Sequence, residues 1–497
     1  MLVSKEQTGT EDAGDIPQSE HTRNSPVDFS VRLPPEILMY IFYLLVAPDG
    51  NFLKLERCSY RFLLVCKRWC DVAGNCKELW GFWGSNLYEW SRRYERSKST
   101  TPLDLVLAPP SEEASTPHIN RATFDKPLQD ALKKRVASNS IRSVHLETVE
   151  AVSLNSIVSL FTPDVEGVWY NDSSIESVRV KDWDSMNISA FLTRYHFPKL
   201  QHLHLAAIID SSVWDNLGLH TTSLTSLSLL GKSIPPTTPQ LLSVLASNPQ
   251  LQSLTLNAFS IPKDNTGYKS KVSLPHLKSL DLDANFHSIF RLLNQLDHPR
   301  RLDTLKLGLH TTKESEGDLI PRAIQPYMVD HLHQDRFKNQ LEISAEINRH
   351  RVIISAFIKD TTSSSSTFPP TQLEVNVGRP SHSLPQGKIW DKMFNDLASH
   401  LPGEDVVSFT LKWMGALDLD LLKNFINTVP NLQELNLFNK TQSGQSMPPN
   451  QHTNMGVLPI LQFLHREELA EKGNWKLRPS SSLSKGVISL YNDPHST

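Results

Sequence analysis

Cysteine is scarce in this 497-residue chain, neither sign of charge dominates, and long apolar runs are missing. Four Cys residues without a CxxC pair exclude a disulfide scaffold. The 50 Lys and Arg residues against 53 Asp and Glu residues leave a formal net charge of -3. That balance excludes binding to nucleic acid by bulk positive charge. The longest apolar stretches, such as residues 37–47, are too short to span a bilayer. We therefore expect neither nucleic acid nor a membrane among the partners.

Residues 1–20 lack the apolar segment of a secretory signal peptide. Reduced cysteines then fit a cytoplasmic and/or nuclear location, which is our expectation for this chain.

Motifs that carry catalytic chemistry are also missing, since no GxSxG, HExxH or GxxxxGK occurs. The spacing of Cys66 and Cys70 on a predicted helix could suggest zinc, but small apolar filling is the favoured interpretation. His202 and His204 alternate on a predicted strand, where solvent-facing positions explain them better than a metal does. We expect no enzyme activity, no cofactor and no metal.

Composition changes along the chain predict five regions. Residues 1–28 form a polar, disordered tail, and residues 29–84 an all-helical domain. Residues 85–135 form a linker with connecting helices, and residues 136–440 a repeat domain. That domain contains an exposed, Ser-rich loop near residues 359–372. Residues 441–497 form a polar tail with a capping helix at residues 457–470.

The repeat domain is recognised by the pattern Leu-x-x-Leu-x-Leu. Good copies begin at the following six residues: Leu200, Leu224, Leu251, Leu277, Leu302 and Leu432. The first five copies follow one another at steps of 24, 27, 26 and 25 residues, with helical stretches between them. Looser copies begin at Ile141, Ile175, Leu373 and Val406, and the pattern breaks between Leu307 and Leu373.

A strand followed by a helix every ~25 residues is typical of leucine-rich repeats, which stack into one curved core. We therefore predict an α/β fold: a small helical unit followed by a leucine-rich-repeat-like solenoid, with disordered termini. An ordinary doubly wound α/β sheet is the alternative. It needs no equal spacing, and no glycine-rich phosphate turn supports it here.

The helical region at residues 29–84 resembles an F-box. The segments LPPEILMYIF from Leu33, LLVCKRWCDVA from Leu63 and a final LW at Leu79 have the order typical of that family. The gap between Phe42 and Cys66 is longer than in the shortest members, in the manner of fungal-type members, and is interpreted as a loop insertion.

The resemblance implies a Skp-type adaptor as the partner and, through it, the cullin and RING subunit of a ubiquitin ligase. More apolar side chains lie on the helical stripe than three short helices can hide from water. Ten residues are the predicted adaptor contacts: Leu33, Pro34, Pro35, Ile37, Leu38, Ile41, Phe42, Val65, Cys66 and Trp69. Packing of these residues on the repeats is the alternative. An F-box followed by repeats is similar to ligase substrate receptors, and a ligase-independent scaffold is the other interpretation.

Residues between the leucines of a strand face solvent on one side of the sheet, because side chains alternate. The predicted target-binding residues are His202, His204, Ser228, Thr255, Asn257, Asp281, Asp283, Lys306, Glu434 and Asn436. They form no basic stripe, so we expect a protein or peptide target. Docking of the target on loops or on the Ser-rich insertion is the alternative.

Overall fold

The computed structural model divides the chain into two units, with the boundary after Leu79. The described residues are 33–46, 62–83, 101–107, 130, 132–135, 140–147, 174–181, 192, 197–206, 213–215, 217, 221–230, 236–259, 271–297, 302–311, 319–332, 341–347, 351–358, 371–378, 394–413, 419–439, 475–477 and 487–492. Among these ranges, no helix is long and apolar enough to cross a membrane.

In the described part of the first unit lie the helices α1 (Pro35–Val46) and α2 (Lys67–Asn75), and α3 (Lys77–Trp80) ends one residue beyond the boundary. The Pro34 carbonyl accepts the first backbone bonds of α1, from the amides of Ile37 and Leu38. Proline suits this position because its missing N–H would have no partner in a first turn.

A 16-stranded sheet, counted over the described strands, dominates the second unit. Its strands are β1 (Phe82–Trp83), β2 (Leu103–Leu107), β3 (Ile141–Glu147), β4 (Ser177–Lys181), β5 (His202–Ala206), β6 (Ser226–Leu230), β7 (Ser253–Phe259), β9 (Ser279–Asn285), β11 (Thr304–His310), β12 (Leu341–Ile347), β13 (Arg351–Ile358), β14 (Thr371–Gly378), β15 (Val406–Trp413), β16 (Glu434–Asn439), β17 (Trp475–Leu477) and β18 (Val487–Asn492). Two short strands, β8 (Val272–Ser273) and β10 (Leu296–Asp297), pair separately.

Strands β1 to β7, β9 and β11 follow one another in parallel. Their register places Leu203, Leu227, Leu254, Leu280 and Leu305 side by side, and all five are buried. The predicted ladder of leucines is therefore one continuous row in the core. Helices α4 (Thr238–Ser247), α5 (Phe286–Gln295), α6 (Ile320–Leu332) and α7 (Leu419–Thr428) lie between strands in the chain.

A buried asparagine joins neighbouring strand–helix units. The Asn248 side chain accepts a 2.9 Å bond from the Leu224 amide and donates a 2.8 Å bond to the Val244 carbonyl. It is also 3.4 Å from the Thr221 hydroxyl. These bonds give partners to backbone groups that would otherwise be buried alone.

The sheet changes direction where the leucine pattern breaks. Across the sheet the strands lie in the order β11, β14, β13, β12, β15. Of the three strands β12, β13 and β14, the one that comes last in the chain, β14, therefore pairs with β11. β14 and β13 are antiparallel, as are β13 and β12, and parallel pairing resumes between β12 and β15. Because residues 341–347 follow β11 in the chain, sequence order alone would have made β12 its neighbour.

Three predicted boundaries differ from the structure. Phe82–Trp83 lies in the sheet rather than in the helical domain, and Leu103–Leu107 is a strand inside the predicted linker. The predicted C-terminal tail contributes two strands, which pair with each other and with β16. These segments are short and carry no clear periodic pattern. They become strands because neighbouring strands complete their hydrogen bonds. The N-terminal tail, the capping helix at residues 457–470 and residues 359–370 of the Ser-rich loop lie outside the described residues.

Candidate interaction surfaces

Two of the ten predicted adaptor contacts form the core of the helical unit instead. Leu38 and Phe42 are fully buried. The Phe42 ring stacks on Phe62 at 4.5 Å between centroids and lies 4.9 Å from the ring of Trp69. A partner cannot contact a side chain that has no exposed area. Leu38 and Phe42 therefore position the helices and present no surface, which corrects their assignment as contacts.

Other predicted contacts are open to solvent. Ile37 is 46% exposed and Val65 is 57% exposed, and Pro34 and Pro35 are also exposed. The remaining four, Leu33, Ile41, Cys66 and Trp69, are partly buried.

Two further apolar side chains are exposed in the same unit: Tyr40, at 60%, and Leu64, at 82%. The sequence interpretation missed both. Tyr40 lies three residues after Ile37, which is a neighbouring position on a helix, and that spacing could have identified it. Leu64 lies in the turn before α2, where helical periodicity gives no signal. We call Ile37, Tyr40, Leu64 and Val65 the exposed apolar set.

The start of α1 is tied to α2 by one side chain. The Arg68 guanidinium donates a hydrogen bond to the Leu33 carbonyl, 35 residues earlier in the chain. Together with the Phe42, Phe62 and Trp69 rings, this bond fixes how α1 and α2 meet. The helices therefore present their outer side chains in a defined arrangement.

The family model described as F-box-like matches residues 31–81. This segment is an F-box-like domain. The match spans the helical unit and the turn that follows it, and it bears out the resemblance seen in the sequence. F-box domains typically bind Skp1-type adaptors and suggest a substrate-adaptor role in Skp–cullin–F-box complexes generally. In a comparison with curated proteins, the chain had no match.

The second candidate surface is the polar side of the large sheet. Backbone register aligns His204, Ser228, Thr255, Asp281 and Lys306 in one row across five neighbouring strands. Asn257 and Asp283 are aligned in a parallel row, while His202 lies in another row, between Ser177 and Ser226. His202 is exposed and the others are partly exposed, in alternation with the buried leucines. These predicted target-binding residues therefore share one face.

The row continues past Lys306 through residues that the sequence interpretation did not select. In order they are Glu374, Ser355, Ser344, Thr410 and finally the predicted Asn436. Glu434 and Asn436 lie on β16, five strands beyond Lys306. At about 4.8 Å per strand, they are roughly 24 Å from it. One partner would have to span β14, β13, β12 and β15 to contact both groups.

Charges are concentrated in the middle of this face. Burial raises the pKa of Asp281, and the negative charges of Asp283 and Glu374 raise it further, while Lys306 lowers it. His310 Nε2 lies 2.5 Å from Asp283 Oδ1. Hydrogen bonding to Asp283 raises the pKa of His310 above its ordinary value.

Gly308 lies between Asp283 and Asn376 in the neighbouring strands. A Cβ atom at this position would be 2.7 Å from the Asp283 Cγ atom. Glycine therefore gives the Asp283 carboxylate room to reach His310.

Metal-ligating side chains do not converge in the part of the chain that the structure describes. No group of three or more His, Cys, Asp or Glu residues there is placed to hold a metal ion. Cys66 and Cys70 are partly buried and Cys76 is buried, all as free thiols.

Proposed function

We propose that this chain is the substrate-recognition subunit of a Skp–cullin–F-box type ubiquitin ligase. The observation that supports the proposal most directly is the exposed apolar set on the F-box-like domain. A partner that covered this set would form a more stable complex, because burial of apolar area stabilises association. The set consists of Ile37, Tyr40, Leu64 and Val65. The adaptor is the partner that an F-box-like domain predicts.

The second unit is the proposed target-binding part. We interpret its sheet as a leucine-rich-repeat-like solenoid, since steps of 24 to 27 residues coincide with one parallel strand each from β5 to β11. The aligned leucines and the Asn248 bonds between units agree with that interpretation. Repeat arrays offer wide surfaces to protein partners.

In this proposal the chain itself is not an enzyme and needs no cofactor or metal. It would hold a target near a ubiquitin-carrying enzyme and so raise the effective concentration of the reacting groups. A cytoplasmic and/or nuclear location follows as part of the proposal, because the ligase acts there.

Co-purification with a Skp-type adaptor tests whether the F-box-like domain binds that adaptor. Substituting Leu33 and Pro34 together by Ala should abolish capture, because Pro34 is exposed and Leu33 is partly exposed beside it. The melting of the second unit should stay unchanged. Unchanged adaptor capture would contradict the proposal.

Two measurements test the ligase role. They are co-purification of the cullin and RING subunit, and adaptor-dependent transfer of ubiquitin to a captured protein. Capture of the adaptor without the cullin would favour a ligase-independent scaffold instead. Partners can be compared by mass spectrometry for the intact chain and for a variant that lacks residues 29–79 and so keeps every described strand of the sheet. Proteins captured by both are the candidates for binding to the sheet.

A further inference from the structure

The polar face of the five neighbouring strands β9, β11, β14, β13 and β12 has a chemistry of its own. Its carboxylates are Asp281, Asp283, Glu374, Glu342 and Glu346. Its permanent cations are Lys306 and Arg351, and His310 adds partial positive charge beside Asp283 because its pKa is raised. Lys412 of β15 lies next to Glu346 at the edge of these five strands. Carboxylates therefore outnumber cations, and the surface is negative even though the whole chain is nearly neutral. We call these five strands the acidic segment of the sheet.

The neighbouring charges only partly neutralise one another. Lys306 lies between Asp281 and Glu374 in the register, and Arg351 Nη2 is 3.3 Å from Glu346 Oε1. The negative charges of Asp283 and Glu374 both add to the effect of burial in raising the pKa of Asp281, while Lys306 lowers it. A cation supplied from outside would relieve this repulsion.

Apolar side chains lie among these charges. Ile353 and Phe357 alternate with the buried residues of β13 and are partly exposed on the polar side. The register places Ile353 between Asn376 and Glu346, and it places Phe357 beside Glu342. Partly exposed aromatic and aliphatic side chains that each lie beside a carboxylate are a common composition for a protein contact.

The surface is open to a partner. The Asp283 side chain is 39% exposed, that of His310 is 42% exposed and that of Arg351 is 46% exposed. Phosphate backbones would be repelled by the excess of carboxylates, so charge complementarity selects a cationic polypeptide.

We propose that the acidic segment of the sheet binds an extended polypeptide segment of the target that carries Lys or Arg side chains together with apolar side chains. The basic side chains contact Asp281, Asp283 and Glu374, and separate apolar side chains pack on Ile353 and on Phe357, which lie about 13 Å apart along β13. This inference rests on the proposed use of the sheet as the target-binding surface, and it adds the chemical class of the target.

Binding of the full chain to an array of short random peptides tests the inference. We expect the bound peptides to be enriched in Lys and Arg together with Leu, Ile or Phe. Asp281→Lys combined with Glu374→Lys should remove the basic enrichment and weaken the best peptide by about tenfold or more, since close charge pairs couple strongly. The milder pair Asp281→Asn and Glu374→Gln should weaken it less and keeps the test valid if the reversal impairs folding.

A matched control changes the net charge equally away from the surface. Asp297 and Glu404 are exposed and lie outside the strands of the large sheet. Asp297→Lys with Glu404→Lys should leave the enrichment intact. Ile353→Ser with Phe357→Ser should keep the basic enrichment and remove the apolar one.

Several results would overturn the inference. They are the absence of basic enrichment in the parent, enrichment that survives the Asp281 and Glu374 reversal, or equal loss in the control. None of these results touches adaptor capture, which is measured separately through the F-box-like domain. Failure of the basic-peptide inference is therefore distinguishable from failure of the proposed ligase function.

Discussion

The F-box-like domain and the sheet treat their large apolar side chains in opposite ways. Of the exposed large apolar residues in the described part of the chain, Ile37, Tyr40, Leu64 and Val65 lie in the short first unit, and only Leu319 lies in the much longer second unit. In the sheet, each strand buries its leucines beside those of the next strand. The sheet therefore completes its own core, whereas the F-box-like domain leaves large apolar side chains exposed.

Size is the physical reason for this contrast. A few short helices enclose little volume, and in the described part of the first unit the interior is already occupied by Leu38, Phe42 and Phe62. A repeating sheet has no such limit, because every added strand and helix brings both a new apolar row and a neighbour to cover it.

The largest effect is expected from a charge placed in the leucine row. Leu280→Asp should destabilise the second unit by about 4 kcal/mol or more, since it removes a buried side chain and adds an unpaired carboxylate. Thermal and urea unfolding monitored by circular dichroism should lose cooperativity. Ser279→Asp is the matched control, because the neighbouring residue faces the polar side. Equal melting of Leu280→Asp and the parent would show that the row is not a core.

The same kind of substitution in the exposed apolar set should spare folding and weaken adaptor binding. Ile37→Asp with Val65→Asp should weaken adaptor binding by about 30-fold or more, as expected when central contacts of about 2 kcal/mol are lost. The melting temperature should change little, because both side chains are exposed. Leu319→Asp is the control, with equal chemistry in the other unit. Calorimetric titration with the adaptor that gave one affinity for all three proteins would contradict the assignment.

A smaller effect is expected where polar bonds join the strand–helix units. Asn248→Ala should cost about 2 kcal/mol in the free energy of unfolding, because it leaves the buried Leu224 amide without its acceptor. Asn285→Ala, which removes only the bond from the His287 amide at the start of α5, should cost about 1 kcal/mol. Urea titrations of both variants give the two values. A reversed order would mean that the Asn248 bonds are not important between units.

The smallest effect concerns the His310–Asp283 pair. Because the folded pKa of His310 is raised above 6.5, its stabilising contribution is complete below that pH and is lost as pH rises through the folded pKa. The stability difference between the parent and His310→Gln should therefore shrink as pH rises from 6.5 through that raised pKa.

Gly308→Ala should push the Asp283 carboxylate away and lower the pKa of His310 towards its ordinary value. Titration of the His310 ring by NMR measures both pKa values. If the pKa of His310 is equal in the parent and in Gly308→Ala, the contact between the Asp283 carboxylate and His310 does not depend on the glycine.

The periodic leucine pattern predicted the strands well, because each repeat buries its leucines against those of the next repeat. Every good copy of the leucine pattern from Leu200 to Leu302, and the copy at Leu432, coincides with a strand of the sheet. Helical periodicity predicted the exposure of side chains in the helical unit less well. Leu38 and Ile37 are adjacent apolar residues, yet Leu38 is fully buried and Ile37 is 46% exposed.

The helical start at Pro34 and Pro35, the F-box-like motif order and the spacing of the leucine row can be predicted from the residues, because these features depend on local geometry and on repetition. The pairing of β14, rather than β12, with β11 cannot be predicted in this way, and it is this pairing that places Glu374 and Ile353 on the same face as Asp281 and Asp283. The reason is that strand pairing is a contact between distant residues. Hydrogen bonds across the sheet, and not the order of the chain, select the neighbour.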